Sequence, residues 1–356
     1  MFSIFWPIRL AIGLFKFFLN LLVCLTCVLT LMALMGDKGW IWSLTTHFRV
    51  QYLVIQLLAL CIGGIGLWKK SKNKGLLGVE HWLSLAVLAF FTGVNLLAVA
   101  PYFLPYRQPN PIETAKGHLK LMHFNLFGII NHNTDSVIQA IQEERPDVID
   151  LVEYTDFWQT RLEESGVFKA YPYHVAGRGH IGMYSKVPLR NARLVFTSAT
   201  RKVTNQANII AQIPLGGEPV TLLVAHPASP ILPSHLQMLQ HSFQVWERER
   251  PHLGQNLVIV GDLNTSPWSV EFHQLIERTG LRDSQLGFGL QPSWPMILPA
   301  IGLRSTPTLI TDLIAIPIDH VLVSNRLVVL SRKTGPFVGS DHLPVVVELG
   351  LAPKTK

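Results

Sequence analysis

The sequence predicts two parts: three membrane-spanning helices, then an α/β domain of two packed sheets with helices outside. Three observations predict this. Up to Leu104 the residues are largely Leu, Ile, Val and Phe, and afterwards they read as an ordinary soluble α/β chain. From His118 onward, short apolar runs alternate with a smaller number of helical stretches, a balance that favours two sheets packed face to face. Several of those runs end in an acid, an amide or a histidine.

Three stretches, roughly Phe17 to Met35, Val50 to Trp68 and Leu83 to Phe103, are long and apolar enough to cross a hydrocarbon layer of about 30 Å. A cleaved signal peptide accounts for neither three spans nor the lack of a small-residue cleavage site. No span carries a charged residue at its centre, which argues against a transporter. Of the net charge of +7 on 356 residues, residues 1–104 carry +6, leaving +1 for the remainder. The basicity belongs to the membrane end, so long-range attraction of polyanions to the soluble half has little support. Lys69, Lys70, Lys72 and Lys74 mark the loop between spans two and three as cytoplasmic, and Arg9 and Lys16 place the N-terminus inside too. An odd number of spans then sets everything after Phe103 outside the cytoplasm, on the periplasmic side of a bacterial inner membrane. The only cysteines, Cys24, Cys27 and Cys61, lie within the spans, so the exported half has no disulfide.

The expected organisation is a membrane region over 1–104, a Pro-rich linker over 105–117 and a domain over 118–356. Pro101, Pro105, Pro109 and Pro111 make the join stiff and non-helical. Thr134 is a candidate N-cap for a helix with Val137, Ile138 and Ile141 on one face, ending before Pro146. A strand from Val148 to Val152 follows and presents Glu153 at its end. Further strands are expected at Asn208 to Ile213, Val220 to Ala225, Leu257 to Gly261, Ile318 to Val323, Leu327 to Leu330 and Pro344 to Leu349. Helices are expected at Ser234 to Arg250 and Ser269 to Thr279. Gly177-Arg178-Gly179-His180-Ile181-Gly182 reads as a tight turn between strands, with Arg178 available to a phosphate. The segment Phe288 to Ile310 is apolar for a loop; it either packs on the sheets or lips the site and touches a bilayer.

Polar residues end or interrupt six apolar runs: Asn125, Glu153, His226, Asp262 with Asn264, Asp319, and Asp341 with His342. Turn chemistry after a strand explains any one of them. It does not explain all six. His123, His174, His180, His235, His241, His252 and His273 lack an acid partner at a convincing spacing and read as surface or core residues.

In the order Asn125, Glu153, His226, Gly261-Asp262-Leu263-Asn264, Ile318-Asp319 and Ser340-Asp341-His342, the chain resembles the endonuclease/exonuclease/phosphatase superfamily. The match covers roughly His118 to Leu349. The resemblance implies a four-layer α/β/β/α sandwich, preceded here by a three-helix transmembrane segment, with the site at one mouth of the sheets. It implies hydrolysis of a phosphate ester by in-line water attack with Mg²⁺, or Mn²⁺ in its place. Glu153 would be the principal metal ligand, helped by Asn125 and Asp341. Asp262 would orient or deprotonate the water, Asn264 would hold a phosphoryl oxygen, and His226 and His342, the latter steered by Asp319, would contact the scissile phosphate. The activity expected first is nuclease-type, with a lipid or small-molecule phosphodiesterase as the alternative and a non-catalytic binding protein on the same fold as the remote one; the expected partners are the membrane lipid bilayer and a phosphate-ester substrate, either nucleic acid or a lipid head group, with no obligate protein partner. The physics points the same way, because a phosphodiester repels hydroxide and a site of several carboxylates would repel the substrate without a cation. Three departures count against abasic-site or strict duplex-nuclease activity: Leu126-Phe127 after Asn125, Pro227 after His226, and His320 in place of a frequent aromatic.

Overall fold

The computed structural model describes residues 6–72, 78–177, 179–197, 207–298 and 307–354. Lys74, Arg178 and residues 299–306 of the apolar segment Phe288 to Ile310 lie outside the described residues. The chain divides into two compact units, Met1–Ala100 and Pro101–Lys356.

The first unit is helical: α1 (Trp6–Leu34), α2 (Trp40–Thr46), α3 (Arg49–Lys72) and α4 (Val79–Val99). Three segments, Gly13–Leu34, Arg49–Lys69 and Val79–Tyr102, are long and apolar enough to cross a membrane. Large apolar side chains such as Phe15, Leu58 and Phe90 point outward, while a polar network lies buried between the helices. Asn95 Nδ2 donates to Thr30 Oγ1 at 2.9 Å and to Gln56 Oε1 at 3.0 Å, and Arg49 donates to Asn95 Oδ1 at 3.2 Å. Bonds of this kind lend specificity to the packing of helices whose surfaces are otherwise uniformly apolar.

The second unit runs, in chain order, β1 (Lys116–Asn125), α5 (Thr134–Glu144), β2 (Val148–Val152), α6 (Asp156–Glu164), β3 (Tyr173–Gly177), β4 (Ile181–Ser185), β5 (Arg190–Phe196), β6 (Ala207–Leu215), β7 (Glu218–Ala225), α7 (Pro233–Glu249), β8 (Leu257–Asp262), α8 (Val270–Thr279), β9 (Arg282–Asp283), α9 (Leu309–Ile314), β10 (Asp319–Val323), β11 (Leu327–Thr334) and β12 (Val345–Leu351). Two six-stranded sheets form, in the orders β11-β12-β1-β2-β4-β3 and β5-β6-β7-β8-β10-β9. Each holds one parallel pair, β1 with β2 and β7 with β8, whose crossovers contain α5 and α7. Strand residues alternate between faces, and both faces of each sheet are covered. Leu121, Val152, Val224, Val260 and Val321 meet in the core between the sheets. Phe124, Ile149, Val137 and Trp158 bury the outer face of the first sheet under α5 and α6. Leu223, Ile259, Leu239 and Phe272 do the same for the second sheet under α7 and α8. The result is the four-layer α/β/β/α sandwich.

The N-cap of α5 is Asn133, not Thr134: its side chain accepts from the Ser136 N–H at 3.4 Å, one residue earlier than expected. The second unit begins with a strap. Tyr102 is buried edge-on to Trp268 and accepts from the Gly289 N–H at 2.8 Å. Further along, Gln108 bonds the Val329 backbone through both its donor and its acceptor, and Asn110 reaches Asn325 O at 2.8 Å, at the turn between β10 and β11.

Candidate active site

The site follows from strand alternation carried to one end of the intersheet core. On β1, Leu119 and Leu121 face the core, and the next residues on that face are His123 and Asn125. Val148 leads in the same way to Asp150, and Val258 and Val260 lead to Asp262. Asp319 opens β10 opposite Asp262, while Asn125 closes β1 opposite Val152. The inner faces therefore turn from apolar to polar at one mouth. Glu153 lies one residue past Val152, with φ of 53°, a left-handed backbone that turns its side chain into the mouth.

The side chains named from the sequence converge there. Asn125 Nδ2 lies 3.2 Å from Glu153 Oε1, 3.0 Å from Asp262 Oδ2 and 3.4 Å from His342 Nε2. Two imidazoles flank the same carboxylate: His226 Nε2 is 3.4 Å and His342 Nε2 3.6 Å from Asp262 Oδ2. His342 Nδ1 bonds Asp319 Oδ2 at 2.8 Å, and His342 Nε2 is 3.9 Å from Asp341 Oδ1. Asn264, at φ 52°, donates its backbone N–H to Asp262 Oδ1 at 2.9 Å and one amide hydrogen to Pro227 O at 3.1 Å. One amide hydrogen is then left for a substrate oxygen.

One member was missed. His123, read above as lacking an acid partner, is fully buried and bridges two: Nδ1 to Asp150 Oδ2, and Nε2 to Asp319 Oδ1 at 3.1 Å. A continuous chain Asp150–His123–Asp319–His342 thus runs from the intersheet core to the mouth. The signal was Asp150 itself, an acid in the middle of a strand buried on both faces, which requires a buried partner. Its partners lie far away in sequence, where spacing arguments fail.

The electrostatics follow from this packing. Burial would lower the His342 pKa, but Asp319, Asp262 and Asp341 outweigh it and hold the ring at about 10. Burial likewise opposes protonation of His123, and Asp150 and Asp319 raise it to about 10. Burial would raise Asp319, but His342 and His123 hold it well below the usual carboxylate range. His226 is raised against burial by its bond to Asp262. Asp341 is pushed up to about 6, first by burial and then, against the pull of His342, by the negative charge of Glu153 and Asp262. His320, which points to the other face, donates its Nε2–H to Thr265 O at 2.8 Å and packs on Phe272 with ring centroids 4.5 Å apart. It fills the place of an aromatic, and burial lowers its pKa.

The apolar segment entering this region divides. Met296 and Ile297 are buried, and the Trp294 indole donates to Asp341 Oδ2 at 3.0 Å, so this stretch packs beside the site. Leu309, Ile310 and Leu313, on α9, are exposed.

A cation fits the acids. Asp341 Oδ1 is buried without a hydrogen-bond partner, and Glu153 and Asp262 crowd it with like charge. Such an arrangement of hard oxygens calls for a divalent ion. Asp262, Asp319 and His342 also bring one ligand atom each within 4.8 Å of one another. Both oxygens of Asp319 are already engaged by the two histidines, however, so the Glu153 and Asp341 side suits an ion better; Asn125, expected as a third ligand, turns its amide nitrogen to these acids because its Oδ1 accepts from the Phe127 N–H at 3.0 Å.

Two facing sheets that gather carboxylates, amides and paired histidines at one mouth define a class of phosphoric ester hydrolase. The profile of the Endonuclease/Exonuclease/phosphatase family matches residues 122–342, and the chain belongs to that family. Its fold is shared with an endonuclease/exonuclease/phosphatase from Beutenbergia cavernae (17% identity, 67% of this chain and 72% of that one, TM-score 0.52). It is shared too with a family protein from Bacteroides thetaiotaomicron (16% identity, 67% and 99%, TM-score 0.52). A third likeness is D. rerio TDP2 complexed with single strand DNA product (16% identity, 65% and 99%, TM-score 0.53). Identities this low speak for the fold alone. Among curated proteins no relative matches the chain.

Proposed function

We propose that this chain is a membrane-anchored, divalent-metal-dependent phosphodiesterase. The observation that carries the reading is the placement of Asp262 Oδ2 between two imidazoles, at 3.4 and 3.6 Å, with Asn125 at 3.0 Å. Asp262 orients the attacking water and takes its proton as the water oxygen bonds phosphorus and the ester P–O bond breaks. His342, kept cationic by Asp319, and His226 donate to the phosphoryl oxygens, where negative charge gathers. Asn264 offers its second amide hydrogen to the same group. Glu153 and Asp341 would hold Mg²⁺, which supplies charge neutralisation at the phosphate that side-chain donors alone do not match, while Asn125, whose amide nitrogen faces Glu153 and Asp262, steadies those carboxylates.

The phosphodiester is carried by nucleic acid or by a lipid head group. The net charge of +1 after residue 104 favours the second, because tracking a polyanion needs a basic surface.

The test is hydrolysis of a chromogenic phosphodiester by the full chain in detergent. Asp262→Ala and His342→Ala should each lower the rate by about 10²-fold or more while leaving a cooperative thermal transition. A chelator should abolish activity and added Mg²⁺ restore it. Full activity in either variant, or in chelator, would remove the mechanism.

A further inference from the structure

The exposed apolar side chains of the second unit are unevenly placed. Among the described residues of this unit, the strap exposes Phe103, Leu104, Tyr106 and Ile112, and from Ile129 onward every large one but Tyr173 belongs to a segment at the mouth. Ile129, 70% exposed, and Ile130 stand in the loop that leaves β1 after Asn125. Ile231 and Leu232 stand in the loop that leaves β7 after His226. Leu309, 74% exposed, lies with Ile310 and Leu313 on α9, which leads into β10 at Asp319. Phe196 ends β5 where it pairs with Ala207, beside the strand ends that carry His226. Tyr173 pairs with Ser185 at the opposite end. Aliphatic tips of this kind gain nothing from water, and an enzyme that only met soluble substrates would have no use for a ring of them around its site.

A second, independent observation says what covers them. Tyr102 is the last residue of the third apolar segment, Val79–Tyr102, and is itself buried in the second unit. It packs on Trp268, four residues past Asn264, so it lies toward the mouth; from there the strap runs away, through Gln108 to Asn110 at the far turn. The residue through which the domain is tethered and the apolar tips therefore share one end. Phe103 and Leu104, next to the tether, are exposed as well. By chain connectivity alone, the second unit starts at the end of a segment apolar enough to cross a bilayer, which argues for lipid as what covers these tips.

We propose that the mouth of the second unit docks on a lipid bilayer, its tips sinking into the boundary between head groups and acyl chains so that the site opens onto the membrane surface. This rests on the membrane-anchored reading above and adds the surface from which the site takes its phosphodiester. A partner protein is the competing occupant.

The experiment uses the full chain with Cys24, Cys27 and Cys61 replaced by Ser, and single cysteines introduced by Ile130→Cys, Leu232→Cys, Leu309→Cys or Tyr173→Cys. Each is labelled with an environment-sensitive fluorophore and reconstituted into phosphatidylcholine vesicles with or without nitroxide-bearing lipid. A protein retaining Cys61 alone serves as the in-membrane reference. Docking predicts quenching of about twofold or more at positions 130, 232 and 309, and none at 173. Labels at the three tips that behave like the one at 173 would overturn the proposal, as would a Cys61 label that escapes quenching. Tip labels shielded only on addition of another protein would do the same. The labelled proteins are also assayed on the soluble chromogenic phosphodiester. Quenching without hydrolysis keeps the docking and removes the enzymatic reading; hydrolysis without quenching does the reverse.

Discussion

His123 shows how a single side chain links the core to the chemistry. It lies one inward-facing position below Asn125, with Asp150 on one ring nitrogen and Asp319 on the other, so it fixes the carboxylate that in turn aims His342. Removing one member of a buried ion pair leaves the other uncompensated, whereas removing both is far milder. His123→Leu should therefore cost about 3–5 kcal/mol of stability in urea unfolding, and His123→Leu with Asp150→Leu markedly less. If the double variant is as unstable as the single one, the pair is not the coupled unit described. The double variant should still lose hydrolysis in kcat more than in KM, because Asp319 would be held from one side only. Gly261 makes a different demand. At φ 150° its missing side chain lets the backbone of β8 approach β7, where an added Cβ would stand 1.8 Å from Ala225 O. Gly261→Ala should lower the unfolding midpoint by the equivalent of about 3 kcal/mol, by strain plus displacement of the strand that bears Asp262.

Among the elements, the far ends of the sheets are held by charge rather than chemistry. Glu218, the first residue of β7, receives both Arg326 guanidinium nitrogens, at 2.7 and 2.9 Å, and Arg326 also donates to Ala352 O after β12. The guanidinium lowers the Glu218 carboxyl to about 2 from its ordinary 4.5. A carboxyl lowered on folding stabilises above its unfolded value, and that contribution fades as pH falls toward the folded one. The unfolding midpoint of Glu218→Gln should thus lie below that of the parent at about pH 6, with the gap narrowing below about pH 4.5. A gap independent of pH would mean the side chain acts through packing alone. The strands that the sequence made legible are those flanking the site. Val148–Val152 is apolar apart from Asp150, and Leu257–Asp262 and Val345–Leu351 are nearly continuous apolar runs, because they are buried on both faces. The edge strand β5 was not legible, since Arg190–Phe196 is mostly exposed and shows no alternation. The hairpin of β3 and β4 was legible only at its turn, around Gly179 and His180, because its first strand is polar and half-exposed. Helix α6 was missed because it buries little beyond Trp158 and Leu162. Strand ends could be read from order along the chain, but the pairing of His123 with Asp150 and Asp319 exists only once the two sheets face each other.

For the molecule as a whole, the distribution of charge decides how it should meet a polymer. Residues 1–104 hold +6 of the +7, and the catalytic unit is left with almost none. Within that unit several cations are already spent on structure: Lys120 and Lys333 on Glu144, Arg326 on Glu218, and Arg332 on Ser284 and the Asp319 carbonyl. A protein that binds nucleic acid through 6–10 phosphate contacts loses about 10³–10⁵ in affinity between roughly 50 and 200 mM salt, through release of condensed counterions. Without a basic track, this chain should show a far shallower slope. Measured on a single-stranded oligonucleotide, its kcat/KM should fall by less than about tenfold over that range. The rate on a small chromogenic diester should hardly change, since only one anionic group meets the site. A loss of about a thousandfold on the oligonucleotide would reveal a cationic surface assembled by the fold from residues that the overall count hides, and would return nucleic acid to first place among the substrates.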